Sequence, residues 1–228
     1  MQRFGTVYGG WNLPENAALD EHSIVYSAGV GEDISFDLLL QAKYGCQIVL
    51  IDPTHRSKTH FEEIQSYFAT HKWSFSGDIQ RDYFAKINGC TPDFSKFSYL
   101  EKGLWSNADI LKFYKPTNSK YVSHTLIENM YSREFETVNV DSVKNIMTAL
   151  GHSHIDLLKM DIEGAEIVVL EQMLADKVYP KYLCVEFDLF LKGRDNENKT
   201  SQIISKLQTA GYTMVENDGW NCLFVHNT

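Results

Sequence analysis

Short apolar runs alternate with stretches of helical period along most of this chain. SIVYSAG (23–29) is compact, apolar and β-prone, and DISFDLLLQAKYG follows it with Phe36, Leu39 and Leu40 at the i, i+3, i+4 spacing of one helix face and Gly45 as a stop. CQIVLIDPT (46–54) reads as a second buried strand ended by Pro53, and KTHFEEIQSYF places Phe61, Ile64 and Phe68 on one helical face. Strand and helix in this alternation predict a parallel sheet joined by right-handed crossovers.

The middle of the chain is less regular. Residues 69–96 mix aromatics (Trp73, Phe75, Tyr83, Phe84) with Gly77, Gly89 and Pro92, and read as a helix plus loops. FSYLEKGLWSNADILKFYKP (97–116) reads as two β segments around a Ser-Asn-Ala-Asp turn, and YVSHTLIE (121–128) extends that sheet. The helical DSVKNIMTALG leads into a third core strand, IDLLKMD; KYLCVEFDLF is a further strand, and a helix from about Thr200 aligns Ile203, Leu207 and Ala210. YTMVENDGWNCLFVH ends differently, with Asp218-Gly219 between two β-prone runs, the signature of an antiparallel hairpin.

Composition narrows the class of protein. The 228 residues fit one domain, taken here as 23–228 behind an N-terminal arm of residues 1–22; 43% hydrophobic and 22% charged residues are ordinary for a water-soluble globule. A formal charge of −9 without a basic run argues against nucleic acid as a partner. Cys46, Cys90, Cys184 and Cys222 form no CxxC pair, which argues against a cysteine zinc site and against a disulfide scaffold, and fits a reducing cytoplasm. No apolar run reaches the roughly 20 residues of a membrane helix, and the N-terminus lacks a signal-peptide core. Oligomeric state is not written in the sequence.

Candidate chemistry begins at the first strand-to-helix turn. In SAGVGEDIS, Gly29 and Gly31 stand in G-x-G spacing, and Asp52 closes the next strand 23 residues after Gly29. Glycines allow a tight turn, and an acid about 20 residues on can grip ribose hydroxyls. A dinucleotide motif wants a third glycine at position 34, where this chain has Ile34, and Glu32 and Asp33 at the helix start would repel a pyrophosphate. A phosphate-free adenosine compound carrying positive charge suits the site better. The plainer reading is that Asp33 caps the helix and Glu32 is solvated.

A second acidic group lies in LLKMDIEGAEIVVLEQML, where Asp161, Glu163 and Glu166 crowd a strand-to-helix handover. Open α/β sheets bind ligands beyond the carboxyl ends of their strands, so Asp161 is expected to face a crevice. Glu186 and Asp188 stand two apart on the next strand and share a face. Asp161, Glu163, Glu186 and Asp188 are expected to converge on one wall, and Asp161, Glu186 and Asp188 are candidate oxygen ligands for a divalent metal; the plainer reading, that Glu163 and Glu166 complement the helix N-terminus and Asp161 caps it, explains one or two acids well and four less well.

The segments VYSAGVGEDISFDL, IDPT, EKGLW...LKFYKP and, most specifically, LKMDIEGAE resemble the FkbM family of S-adenosylmethionine-dependent methyltransferases over about residues 20–175. The resemblance implies a Rossmann-like α/β fold: a mostly parallel seven-stranded sheet, helices on both faces, and a C-terminal antiparallel hairpin. It implies S-adenosylmethionine as cofactor, with Gly29, Gly31 and Glu32 near its methionine part, Asp52 on the ribose, Asp161 facing the reactive centre, and Ser27, Pro53, Gly103 and Leu104 within the matching segments around it. It also implies O-methylation of a sugar, glycan or natural product, and leaves 69–96 as a lid or substrate-loop elaboration. Methyl transfer to a hydroxyl needs a proton acceptor, for which Asp161 or Glu163 is expected, with His124 of YVSHTL as a further candidate. The alternatives are a nicotinamide-dependent oxidoreductase on the same scaffold and a cofactor-binding module without catalysis.

Overall fold

The computed structural model describes residues 1–72, 74–116, 124–128, 133–188 and 198–227. In chain order its elements are β1 (Gln2–Phe4), β2 (Trp11–Leu13), β3 (Ile24–Ala28), α1 (Ser35–Tyr44), β4 (Gln47–Ile51), α2 (His55–Thr70), α3 (Tyr83–Ile87) and a 3-10 turn (Phe94–Lys96). There follow β5 (Phe97–Leu100), β6 (Gly103–Leu104), β7 (Asp109–Tyr114), β8 (Phe135–Asp141), α4 (Val143–Leu150), β9 (Leu157–Met160), α5 (Glu166–Ala175), β10 (Tyr182–Glu186), α6 (Lys199–Thr209), β11 (Tyr212–Asn217) and β12 (Asn221–His226). Among the described residues no helix is long and apolar enough to cross a membrane.

A seven-stranded sheet in the order β11-β12-β10-β9-β3-β4-β5 organises the molecule. The pairs β4–β5, β3–β4, β3–β9 and β9–β10 are parallel, whereas β12 runs antiparallel to both β10 and β11. Because side chains alternate along a strand, the sheet builds two cores. On one face Tyr26, Val49, Leu158 and Val185 meet Ile146 of α4, Leu170 of α5 and Leu207 of α6. On the other, Val25, Ile48, Leu50 and Leu157 meet Leu38 of α1, Phe61 and Ile64 of α2, and Phe4, Trp11 and Leu13 of the β1–β2 hairpin.

Several local expectations need correction. In α1 it is Phe36, Leu38 and Leu40 that are buried, with Leu39 only half-buried. The helix is wedged between the sheet and the N-terminal hairpin, so its burial wraps past a single stripe. The two segments flanking the Ser-Asn-Ala-Asp turn do not pair with each other. β5 joins the main sheet, while β6 and β7 lie on either side of β8 in a separate three-stranded sheet. β8 itself escaped the pattern reading because only Val138, Val140 and Asp141 of its seven residues are buried. Of 121–128, residues 121–123 lie outside the described residues, and the rest contributes a single antiparallel bridge between Thr125 and Tyr114. Trp73, and residues 189–190 at the end of the KYLCVEFDLF stretch, also lie outside the described residues. Within 69–96, Phe75, Tyr83 and Phe84 form an aromatic cluster against Tyr67 of α2, with ring centroids as close as 5.2 Å.

Candidate active site

The turn from β3 into α1 is held by contacts that only glycine permits. Gly29 (φ +68°) and Gly31 (φ +52°) occupy the left-handed region, and a Cβ on Gly29 would stand 1.6 Å from the Asp161 carbonyl oxygen. That clash measures how tightly the turn abuts the loop after β9, as the Ala28–Met160 pairing requires. Several of the turn's amides are already engaged. Gly29 N donates to the Ile51 carbonyl (2.9 Å), Gly31 N to Asp52 Oδ2 (3.0 Å), and Ser35 N to Asp33 Oδ1 (2.9 Å). Asp33 Oδ2 also accepts from the Thr6 hydroxyl at 2.5 Å. Asp33 thus accepts the first amide of α1, but the N-cap position falls on Ile34, which makes no side-chain cap, so the plainer reading is off by one residue. Glu32, in contrast, is neither solvated nor unopposed: its side chain is 7% exposed and held by Arg56 through Nη2 (2.7 Å) and Nε (3.2 Å).

The turn forms one side of an open cleft of about 780 Å³, counting its mouth. Asp52, Pro53 and Thr54 at the end of β4, together with Gly103 and Leu104 of β6, form another side, and Phe113, His124 and Leu126 a third. The His124 ring stacks on Phe113 at 5.2 Å between centroids. Asp52 accepts from Gly31 N with Oδ2 and from Thr54 N (2.8 Å) and Thr54 Oγ1 (2.6 Å) with Oδ1. A carboxylate has about four acceptor positions, so Oδ2 keeps one for a ligand hydroxyl.

The last side is acidic. Asp161 and Glu163 line the cleft. Glu163 has φ +57°, uncommon for a residue with a side chain, and its carbonyl accepts from the Thr125 hydroxyl at 2.5 Å. Glu166 starts α5 beneath this loop and receives the amides of Ile162 (3.2 Å) and Gly164 (3.0 Å) on Oε1. Burial, then the charge of Asp188, hold its carboxyl well above the usual range. Glu186 is pushed up to about 8 by burial and by the charges of Asp161 and Asp188. Among the described residues, the acids whose oxygens come together are Asp161, Glu163 and Asp188, all within 4.8 Å of one another. This corrects the expected metal set: Glu163 takes the place given to Glu186, because β10 ends at Glu186 and Asp188 leaves the strand's alternation.

The family model described as the methyltransferase FkbM domain matches residues 13–214. The chain belongs to the FkbM methyltransferase family. No curated protein and no solved structure matches it. The matched span of the FkbM domain contains the whole cleft lining except Tyr8 and Gly9, which the N-terminal segment adds. Tyr8 is 65% exposed and lines the cleft; burial and the charges of Asp161, Glu163, Glu186 and Asp33 push its hydroxyl up to about 12. Trp11, the other aromatic of that segment, is buried in the core instead.

Of the residues singled out in the sequence, Gly29, Gly31, Glu32, Asp52, Pro53, Gly103, Leu104, His124, Asp161 and Glu163 meet at this cleft of the FkbM domain. Ser27, Glu186 and Asp188 do not line it. Ser27 lies fully buried below the turn, paired in register with Lys159. Lys159 was missed: its ammonium donates to the Gly29 carbonyl at 2.9 Å, and it lines the cleft. A lysine inside a strand of Leu and Met was itself a signal, since lysine is seldom buried without a purpose. Arg56 was missed too, and a cation in the first turn of α2, against the helix dipole, was its signal.

Proposed function

We propose that the protein transfers a methyl group from S-adenosylmethionine to a hydroxyl of a small molecule or glycan. The observation that carries this reading is the turn whose amides are filled by the chain's own carboxylates, Asp52 on Gly31 and Asp33 on Ser35. A pyrophosphate would have to displace both, whereas a phosphate-free adenosine compound needs neither amide. The acidic wall of Asp161 and Glu163 favours a ligand with positive charge. Charge at Glu32 carries less weight than its sequence position suggests, because Arg56 offsets it.

The bound donor supplies an electrophilic methyl group on a sulfonium. Asp52 holds a ribose hydroxyl with its remaining acceptor position, and Ile51, Pro53 and Leu104 offer apolar surface for a base. Asp161 and Glu163, with His124 across the cleft, are the groups able to take the hydroxyl proton. Orienting the acceptor in line contributes on the order of 7–11 kcal/mol to such reactions, so the shape of the cleft matters as much as its base.

Calorimetric titration with S-adenosylmethionine, S-adenosylhomocysteine and NAD tests the reading. Uptake of the first two and indifference to NAD is expected; the reverse pattern overturns it. In a methylation assay over hydroxylated acceptors, Asp161→Asn is expected to lose turnover while still binding the donor. Unchanged turnover would remove Asp161 from the mechanism.

A further inference from the structure

The geometry points to a binding site for one divalent cation held by Asp161, Glu163 and Asp188. Their carboxylate oxygens lie within 4.8 Å of one another. Hard cations take oxygen ligands at about 2.0–2.6 Å, so oxygens on opposite sides of one ion are separated by roughly 4–5 Å, and the three side chains already have that spacing. Two of the three stand just beyond adjacent strand ends. Asp161 and Asp188 follow neighbouring parallel strands, β9 and β10, which are in register at Met160 and Val185. An all-oxygen set of three acids suits Mg²⁺, Mn²⁺ or Ca²⁺ over softer metals.

Glu166 supplies an independent indication. It is 1% exposed, and while its Oε1 receives two amides, its Oε2 has no hydrogen-bond partner among the described residues. The carboxylates whose charges bear on it are Asp188 and Asp161, two of the three proposed ligands. This enclosed oxygen lacks a partner, and water on a hydrated cation held by Asp161 and Asp188 would supply one. Lys159 does not substitute for it, since its ammonium is turned to the Ala28 and Gly29 carbonyls at 3.4 and 2.9 Å. The existence of the site is independent of the methyl-transfer reading. Its use rests on that reading: a cation here would orient an acceptor hydroxyl and ease loss of its proton, with Asp161 and Glu163 acting through the metal.

The test is binding of Mn²⁺ to chelator-stripped full-length protein, followed by electron paramagnetic resonance with Mg²⁺ as competitor and with no methyl donor or acceptor present. One immobilised Mn²⁺ per chain, displaced by Mg²⁺ and weakened at least about tenfold in Asp188→Asn, is expected. Glu163→Gln, in a half-buried loop position, provides a second variant whose folding is less at risk, with thermal denaturation run on both. Absence of saturable binding at millimolar metal, or equal binding by wild type and both folded variants, overturns the proposal and leaves a proton shared among the acids. Donor titration on the same samples separates the two readings. Donor uptake without metal sinks only the cation site, and metal uptake without donor sinks only the cofactor assignment.

Discussion

Gly29 shows how narrowly a single position can be specified. A methyl group there would overlap the Asp161 carbonyl at 1.6 Å, and the backbone is left-handed besides. Gly29→Ala is expected to destabilise the fold by more than about 1 kcal/mol and to weaken donor binding by at least about tenfold, checked by denaturant titration and calorimetry. Arg56 is the second informative residue. Removing it strands the Glu32 carboxylate, which is 7% exposed, although Arg56 itself is 39% exposed and partly screened. Breaking a fully buried pair costs about 3–5 kcal/mol, so Arg56→Ala is expected to cost a reduced amount, about 1–3 kcal/mol. Glu32→Gln in the same background should recover part of the loss in a double-mutant cycle. The glycine was legible from its spacing. The ion pair was not, because 24 residues of chain separate its partners and no spacing rule links them.

At the level of elements, ends were easier to read than faces. Ser142 caps α4 by accepting from Asn145 N at 3.2 Å, and Gly151 closes the helix at φ +72°. Both signals are local, so they were visible in DSVKNIMTALG. Ser142→Ala is expected to lower stability by about 1 kcal/mol in chemical denaturation. Thr54 likewise caps α2 by accepting from Ser57 N. Burial around α1 could not be read from its own period, since the β1–β2 hairpin covers the face turned away from the sheet. β8 was missed for a similar reason. Its Val138 and Val140 are buried only because Phe113 of β7 and Trp105 lie opposite, and its other side chains are mostly exposed.

Across the whole molecule, the buried polar layer beneath the turn links the fold to pH. Asp37 of α1 is fully enclosed, and burial raises its carboxyl to about 6 against the opposing pull of Lys159 and Ser27, with Asp33 adding to the rise. A carboxyl raised on folding binds its proton more firmly in the native state. Its contribution to stability is therefore full below the unfolded value near 4 and is lost as pH rises through about 6, by up to about 3 kcal/mol. Denaturation at pH 4 and pH 7 should show this slope in the wild type and a flatter one in Asp37→Asn; equal slopes would mean Asp37 does not carry it. His60 works in the opposite sense. Burial lowers its imidazole to about 4, so its contribution is present above about 6.5 and is lost as pH falls through about 4. By itself the sequence determined the alternation of strands and helices, the glycine turn with its downstream acid, and the closing hairpin, since each is a pattern within one or two neighbouring elements. Only the tertiary structure decided that Arg56 neutralises Glu32, that Lys159 is turned to the turn's carbonyls, and which three of the four acids, Asp161, Glu163 and Asp188, bring their oxygens within 4.8 Å of one another. Those outcomes depend on distances between elements remote in the chain, which strand register and loop paths fix and residue spacing does not.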